Sequence, residues 1–169
     1  MNTIELLGEE ETFKNIVERE ITEFEDNKID VIRDFAFYNY STLTSVSFPV
    51  VTSIGISAFN GCNKLTSVSI PNATSIASNA FYGCSSLTRV SIPKATSIGD
   101  SAFRSCSKLT TIYVGTNTST VCTLGTSAFN GCTKLTNIYV PATLVGDYKI
   151  ATNWSNYADK IKAYEQPVG

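Results

Sequence analysis

A 22-residue phrase recurs down this 169-residue chain, and its period constrains the fold before any helix or strand is assigned. The phrase reads Ile54-x-x-x-Ala58-Phe59-x-x-Cys62-x-x-Leu65-Thr66-x-Val68-x-Ile70-Pro71. It returns on Ile76, Ala80-Phe81, Cys84, Leu87-Thr88, Val90 and Ile92-Pro93, and again on Ile98, Ala102-Phe103, Cys106, Leu109-Thr110, Ile112 and Val114. A further copy holds Leu124, Ala128-Phe129, Cys132, Leu135-Thr136, Ile138 and Val140-Pro141. The first copy is worn: Ile32, Ala36-Phe37, Tyr40, Leu43-Thr44, Val46 and Phe48-Pro49. Self-similarity at this period is the signature of a solenoid, in which each copy buries its apolar face only against its neighbours.

Inside each copy, the spacing Leu-x-x-Val-x-Ile predicts a short strand with one buried face, and the following Pro ends it because it has no N–H for a ladder. Thr-Ser-Ile (52–54, 74–76, 96–98) predicts a second short extended piece. Ala-Phe then enters a turn or short helix that stops near Gly61, Gly83 or Gly131, where glycine suits a left-handed residue. The five Phe predict an aromatic spine inside the core. The expected fold is therefore a repeat solenoid, α/β or mainly β, of about five 22-residue repeats. Residues 1–31 are expected to form an N-terminal cap, with a helix over 12–20 and a half-repeat strand at 21–24. Residues 32–141 carry the repeats. Residues 142–169 are expected to form a helical C-terminal cap, since Leu144, Tyr148, Ile150, Trp154, Tyr157 and Ile161 are spaced mostly by three or four. Trp154 is expected to plug the open end of the core.

Four of the five Cys occupy one repeat position, which Tyr40 fills in the first copy. A position that accepts Cys or Tyr is being filled, so these thiols are expected to be structural and buried. Cys122 stands outside that column and is expected to be the reactive thiol. No CxxC pair and no His are present, so neither zinc nor another metal is expected, and no cofactor. The missing His and the lack of a facing pair of acids or a Gly-rich phosphate loop argue against an enzyme.

The formal net charge is -2, with no basic run, which argues against nucleic acid as the partner. The charge is polarised: residues 1–34 hold eleven acids and four bases, residues 35–169 four acids and nine bases. An acidic solvated end cap and head-to-tail self-association are both compatible with this. No stretch approaches the roughly 18 apolar residues of a membrane span. The first eleven residues lack the basic region, apolar stretch and small-residue cleavage site of a secretory signal.

The repeated phrase resembles the BspA-like leucine-rich repeat family, over roughly residues 29–141. The resemblance implies a right-handed leucine-rich-repeat superhelix with a parallel sheet on one side. Members are mostly bacterial cell-surface proteins that bind host matrix proteins, other cells or sugars. The segment Val140-Pro141-Ala142 through Asn153-Trp154-Ser155 and Tyr157-Ala158 is similar to closing segments of repeat proteins from gut Firmicutes and their phages. A protein- or glycan-binding module of adhesion type is the function implied, with a structural or host-recognition part of a phage or prophage assembly as the alternative.

Any specificity must lie where the phrase departs from itself. The outward strand positions carry Thr44, Ser45 and Ser47, then Thr66, Ser67 and Ser69, then Thr88, Arg89 and Ser91, then Thr110, Thr111 and Tyr113, then Thr136, Asn137 and Tyr139. Tyr113, Tyr139, Arg89, Asn137 and Thr111 are the candidate binding residues, because Tyr and Arg dominate binding hot spots and a tyrosine pair can stack on a sugar ring. The spacing also breaks once: Ile98 to Leu124 is 26 residues, with four extra residues within 115–122. Insertions of this kind bulge from one face, where they either touch partners or drift neutrally.

Overall fold

The computed structural model describes residues 22–165. The helix expected over 12–20 lies outside them. Each copy of the phrase makes one rung of a solenoid, and each rung contributes two strands. One wall runs through β1 (Glu23–Glu25), β3 (Ser45–Ser47), β5 (Ser67–Ser69), β7 (Arg89–Ile92), β9 (Thr111–Val114), β11 (Asn137–Pro141) and β12 (Ile161–Tyr164). These form two parallel sheets in the orders β1-β3-β5 and β12-β11-β9-β7. The second wall is the sheet β10-β8-β6-β4-β2, from β2 (Val31–Ile32), β4 (Ser53–Ile54), β6 (Ser75–Ile76), β8 (Ser97–Ile98) and β10 (Thr123–Leu124).

Every pairing among the described strands is parallel, and up to β11 each is in register with the sequence repeat: Val46 faces Val68, Ile54 faces Ile76, and Ile138 faces Ile112. The third side has turns in place of the helix allowed for it, and these still join rung to rung. The Phe37, Phe59, Phe81 and Phe103 amides donate to the Ala carbonyl of the next rung at 2.7, 2.7, 2.8 and 2.9 Å. Two left-handed residues per rung bend the chain back. One is Ser57, Asn79, Ser101 or Ser127; the other is filled by Gly61 (φ +80°), where a Cβ would sit 2.1 Å from Asn39 Oδ1.

The letters of the repeat form the core. The five Phe stack face to face, with centroids 5.0, 5.1, 5.2 and 5.7 Å apart and planes within 14°. Stacked at about the strand spacing, each such pair contributes about 0.5–1.5 kcal/mol beyond its buried area. Phe24 meets Phe37 edge-on at the first rung, and Trp154 meets Phe129 at 6.0 Å at the last.

The four column thiols are more than filling. The Cys62, Cys84, Cys106 and Cys132 Sγ donate to the carbonyls of Phe37, Phe59, Phe81 and Phe103 at 3.0, 3.2, 3.1 and 3.0 Å. Burial pushes the Cys62 thiol up to about 12. The Thr hydroxyls work the same way: Thr66 Oγ1 donates to Thr44 O and Thr110 Oγ1 to Thr88 O, each at 3.0 Å.

Cys122 is not the reactive thiol expected. It is fully buried, its backbone is held by two aromatic side chains, and burial raises its thiol to about 12. The segment after Pro141 is also not purely helical. A short 3-10 turn (Ala142–Leu144), α1 (Val145–Ile150) and a second 3-10 turn (Trp154–Tyr157) lead into β12, which pairs with the open edge of β11. Ile161 lands beside Ile138, which extends the buried row of the wall by one strand.

Candidate functional site

The outward face of the β7-β9-β11-β12 sheet is where the rungs stop being alike. Register places Arg89 beside Thr111 and Thr111 beside Asn137, and it places Ser91 beside Tyr113 and Tyr113 beside Tyr139. All five candidate residues thus share one face on three adjacent strands. Their roles differ.

Tyr113 is the centre. On its β11 side it stacks on Tyr139, centroids 4.9 Å apart and planes 16° from parallel. On its β7 side the Arg89 guanidinium carbon lies 4.7 Å from the ring centroid. The Arg89 Nη2 also donates to the Tyr113 hydroxyl. Both faces of the Tyr113 ring are therefore covered. Its edge meets the ring of Tyr164 at 5.6 Å and 87°. Tyr113 and Tyr139 are half-buried, and Arg89 is exposed.

Asn137 turns the other way, accepting from Lys162 Nζ and donating to Thr136 Oγ1 at 3.1 Å. Thr111 Oγ1 lies 3.5 Å from Thr110 Oγ1. Neither lines the groove that opens beside Tyr113. That groove has a volume of about 520 Å³ and is lined by Arg89, Ser91, Pro93, Tyr113 and Tyr164. Thr116 and Asn117, from the segment 115–122 that holds the four extra residues, line it as well.

The insertion is a fixed wall. Gly115 (φ +55°) starts it, its N–H donating to Ile92 O at 3.1 Å, and Asn117 N–H reaches Pro93 O at 2.9 Å. Thr118 Oγ1 closes the turn on Gly115 O at 2.7 Å. At the far end the Cys122 backbone is clamped: its N–H donates to the Tyr148 hydroxyl at 2.9 Å, and its carbonyl accepts from Trp154 Nε1 at 2.6 Å.

Sequence reasoning missed two contributors, Lys162 and Tyr164, both on β12. Their signal is faint: Ile161-Lys162-Ala163-Tyr164 follows a helix-spaced run and has none of the repeat letters except one Ile. Among the described residues no group of three or more His, Cys, Asp or Glu is placed to hold a metal ion, and all five Cys are free. No described helix is long and apolar enough to cross a membrane.

Parallel rungs of this length, stacked through Phe, Leu and Ile columns, define a leucine-rich-repeat solenoid. The sequence model of the BspA type leucine rich repeat region matches residues 30–153 in six copies, and this chain belongs to that family. The match extends past the five copies read from the phrase, into the segment after Pro141. Among solved structures, the T. pallidum leucine rich repeat protein superposes with a TM-score of 0.66 at 27% identity, over 73% of this chain and 61% of that one. A leucine rich cell surface protein from Faecalibacterium prausnitzii A2-165 gives 0.64 at 28% identity, over 85% of this chain and 36% of that one. A leucine-rich repeat protein from Bacteroides ovatus ATCC 8483 shares the fold at TM-score 0.61 and 23% identity, over 86% of this chain and 40% of that one. This chain thus spans less than two thirds of the length of each. Comparison with the curated proteins finds none that matches.

Proposed function

We propose that this chain is a non-enzymatic binding module that recognises a protein or glycan through the outward face of the β7-β9-β11-β12 sheet. One observation carries the reading: the exposed Arg89 and the half-buried Tyr113 and Tyr164 line a groove together with Thr116 and Asn117. Aromatic and arginine side chains in a partly desolvated pocket are the usual anchors of an interface. The name of the Faecalibacterium relative, a cell surface protein, supports an adhesion-like setting. Screening against glycan and matrix-protein arrays tests it. Binding that falls away in a folded Tyr113→Ala/Tyr139→Ala double variant supports the reading, and binding that survives unchanged overturns it.

A second reading, a structural part of an assembly such as a phage tail, draws on charge. Exposed Glu23 and Glu25 stand on the first strand of the same wall whose other end carries Arg89 and Lys162. Light scattering at low salt and high concentration tests it. A strictly monomeric chain refutes it.

A further inference from the structure

We infer that the groove beside Tyr113 takes an acidic saccharide, held by the carboxylate of a uronic acid. This rests on the reading of the β7-β9-β11-β12 face as a binding surface and names the ligand chemistry of that site.

The first step is what the groove does not offer. Sugar recognition by aromatic residues ordinarily lays a ring face against the C–H face of a pyranose. Tyr113 has no face to give, because Tyr139 and the Arg89 guanidinium occupy its two sides. What it presents is its hydroxyl. That oxygen already accepts from Arg89 Nη2, so its own proton is left to be donated, and the groove is where the ring edge emerges.

The second step is charge. A guanidinium carries five N–H donors, and among the described residues Arg89 has no carboxylate partner. Among the described residues no Asp or Glu lines the groove. Beyond residue 34 the chain holds four acids and nine bases. An Arg beside a phenol donor and free of acids is matched by a planar carboxylate, which takes charge-assisted bonds from both.

The third step is size and lining. About 520 Å³ suits one or two sugar rings. The remaining wall carries the hydroxyls of Ser91, Thr116 and Tyr164, groups of the kind that pair with ring hydroxyls. An acidic peptide would meet the same guanidinium, and it is the competing ligand in the test below.

The test uses the full chain and tri-galacturonate by titration calorimetry, with its fully methyl-esterified form as the neutral counterpart. The free acid is expected to bind, and esterification, Arg89→Gln or Tyr113→Phe is each expected to weaken binding by about tenfold or more. Trp154 fluorescence, reporting from the far side of the inserted loop, checks that both variants fold. Equal binding of acid and ester overturns the carboxylate assignment while leaving a sugar-binding face. Binding of a hexa-glutamate peptide in preference to tri-galacturonate overturns the saccharide assignment while leaving the face. No binding of tri-galacturonate at millimolar concentration overturns the inference. The array experiment with the double tyrosine variant then judges the face separately.

Discussion

Removing the Tyr148 hydroxyl should loosen the inserted loop without disturbing the core. Tyr148 is fully buried on α1, and its ring packs edge-on to Trp154 at 5.1 Å. Tyr148→Phe keeps that ring and opens no cavity. It deletes the acceptor of the Cys122 N–H, which lies 2.9 Å away in a buried position with no strand partner. An orphaned buried donor costs about 1–3 kcal/mol. If the loss falls on local opening, protection of the Cys122 amide against hydrogen exchange should drop by a factor of about 5–150. If it reaches the global transition, Tm should fall by about 2–12 °C for a chain of this size. Repeat arrays need not melt as two states, so the exchange measurement decides and the melt is secondary. Trp154→Phe removes the bond to the other backbone group of the same residue, so the two changes should be non-additive in a double-mutant cycle. Unchanged Cys122 protection in Tyr148→Phe, with Tm unmoved, would refute the clamp.

Three further outcomes follow from the core. Phe81→Ala deletes a fully buried ring stacked on both sides, at 5.1 and 5.2 Å, and should cost about 3–5 kcal/mol in urea unfolding; a cost below 1 kcal/mol would mean that the spine is not continuous. All five thiols should resist a disulfide reagent at pH 8 in the native state and react fully in denaturant, with Cys132, 8% exposed, the first to label on long exposure; rapid labelling of Cys122 would overturn its placement. The contribution of Cys62 and Cys122 to stability should be fully present below pH 9 and be lost as pH rises from about 9 towards 12: the unfolded thiols ionise near 9.0, whereas burial holds the two folded thiols to about 12. Urea midpoints at pH 8 and pH 10.5 check this, and equal midpoints would contradict it.

The parts of this fold that were legible in the sequence are those that repeat. Ile54, Ile76 and Ile98 predict one another because each is buried against the next, so a single physical requirement is written several times. What was hidden depends on partners distant in sequence or on side-chain conformation. β12 becomes a strand because β11 leaves an unpaired edge beside it, a demand set by tertiary contact. Cys122 looked reactive because it left the column, but Tyr148 and Trp154, 26 and 32 residues later, enclose it. Spacing puts the Thr column on the outward face, but it does not show that each hydroxyl donates to the carbonyl one rung back. Register alone gave Tyr113 and Tyr139 as neighbours. That Arg89 would lie over the second face of Tyr113 depends on rotamers that no spacing encodes.

Translational symmetry gives the strongest reason to look for a ligand at one end of this wall. In a regular array every rung shows the same groups at about the same spacing, so a small ligand gains equal free energy at each rung and is localised at none. The Ser45–Ser67 and Ser47–Ser69 pairs are such a stretch, small and uniform. The regularity ends at β7, where Arg89 replaces Ser, and within the next strands come Tyr113, the inserted loop, Tyr139 and β12. Each change alone is compatible with drift on a surface. Three of them, Arg89, Tyr113 and the insertion, converge on one groove, and Tyr164 of β12 reaches the same place. Tyr148 and Trp154 then fix the loop from within the core, at a position the stacking of rungs does not require. A buried clamp on an inserted loop has a physical purpose when the loop must hold its shape against something outside, and Thr116 and Asn117 are what it presents there.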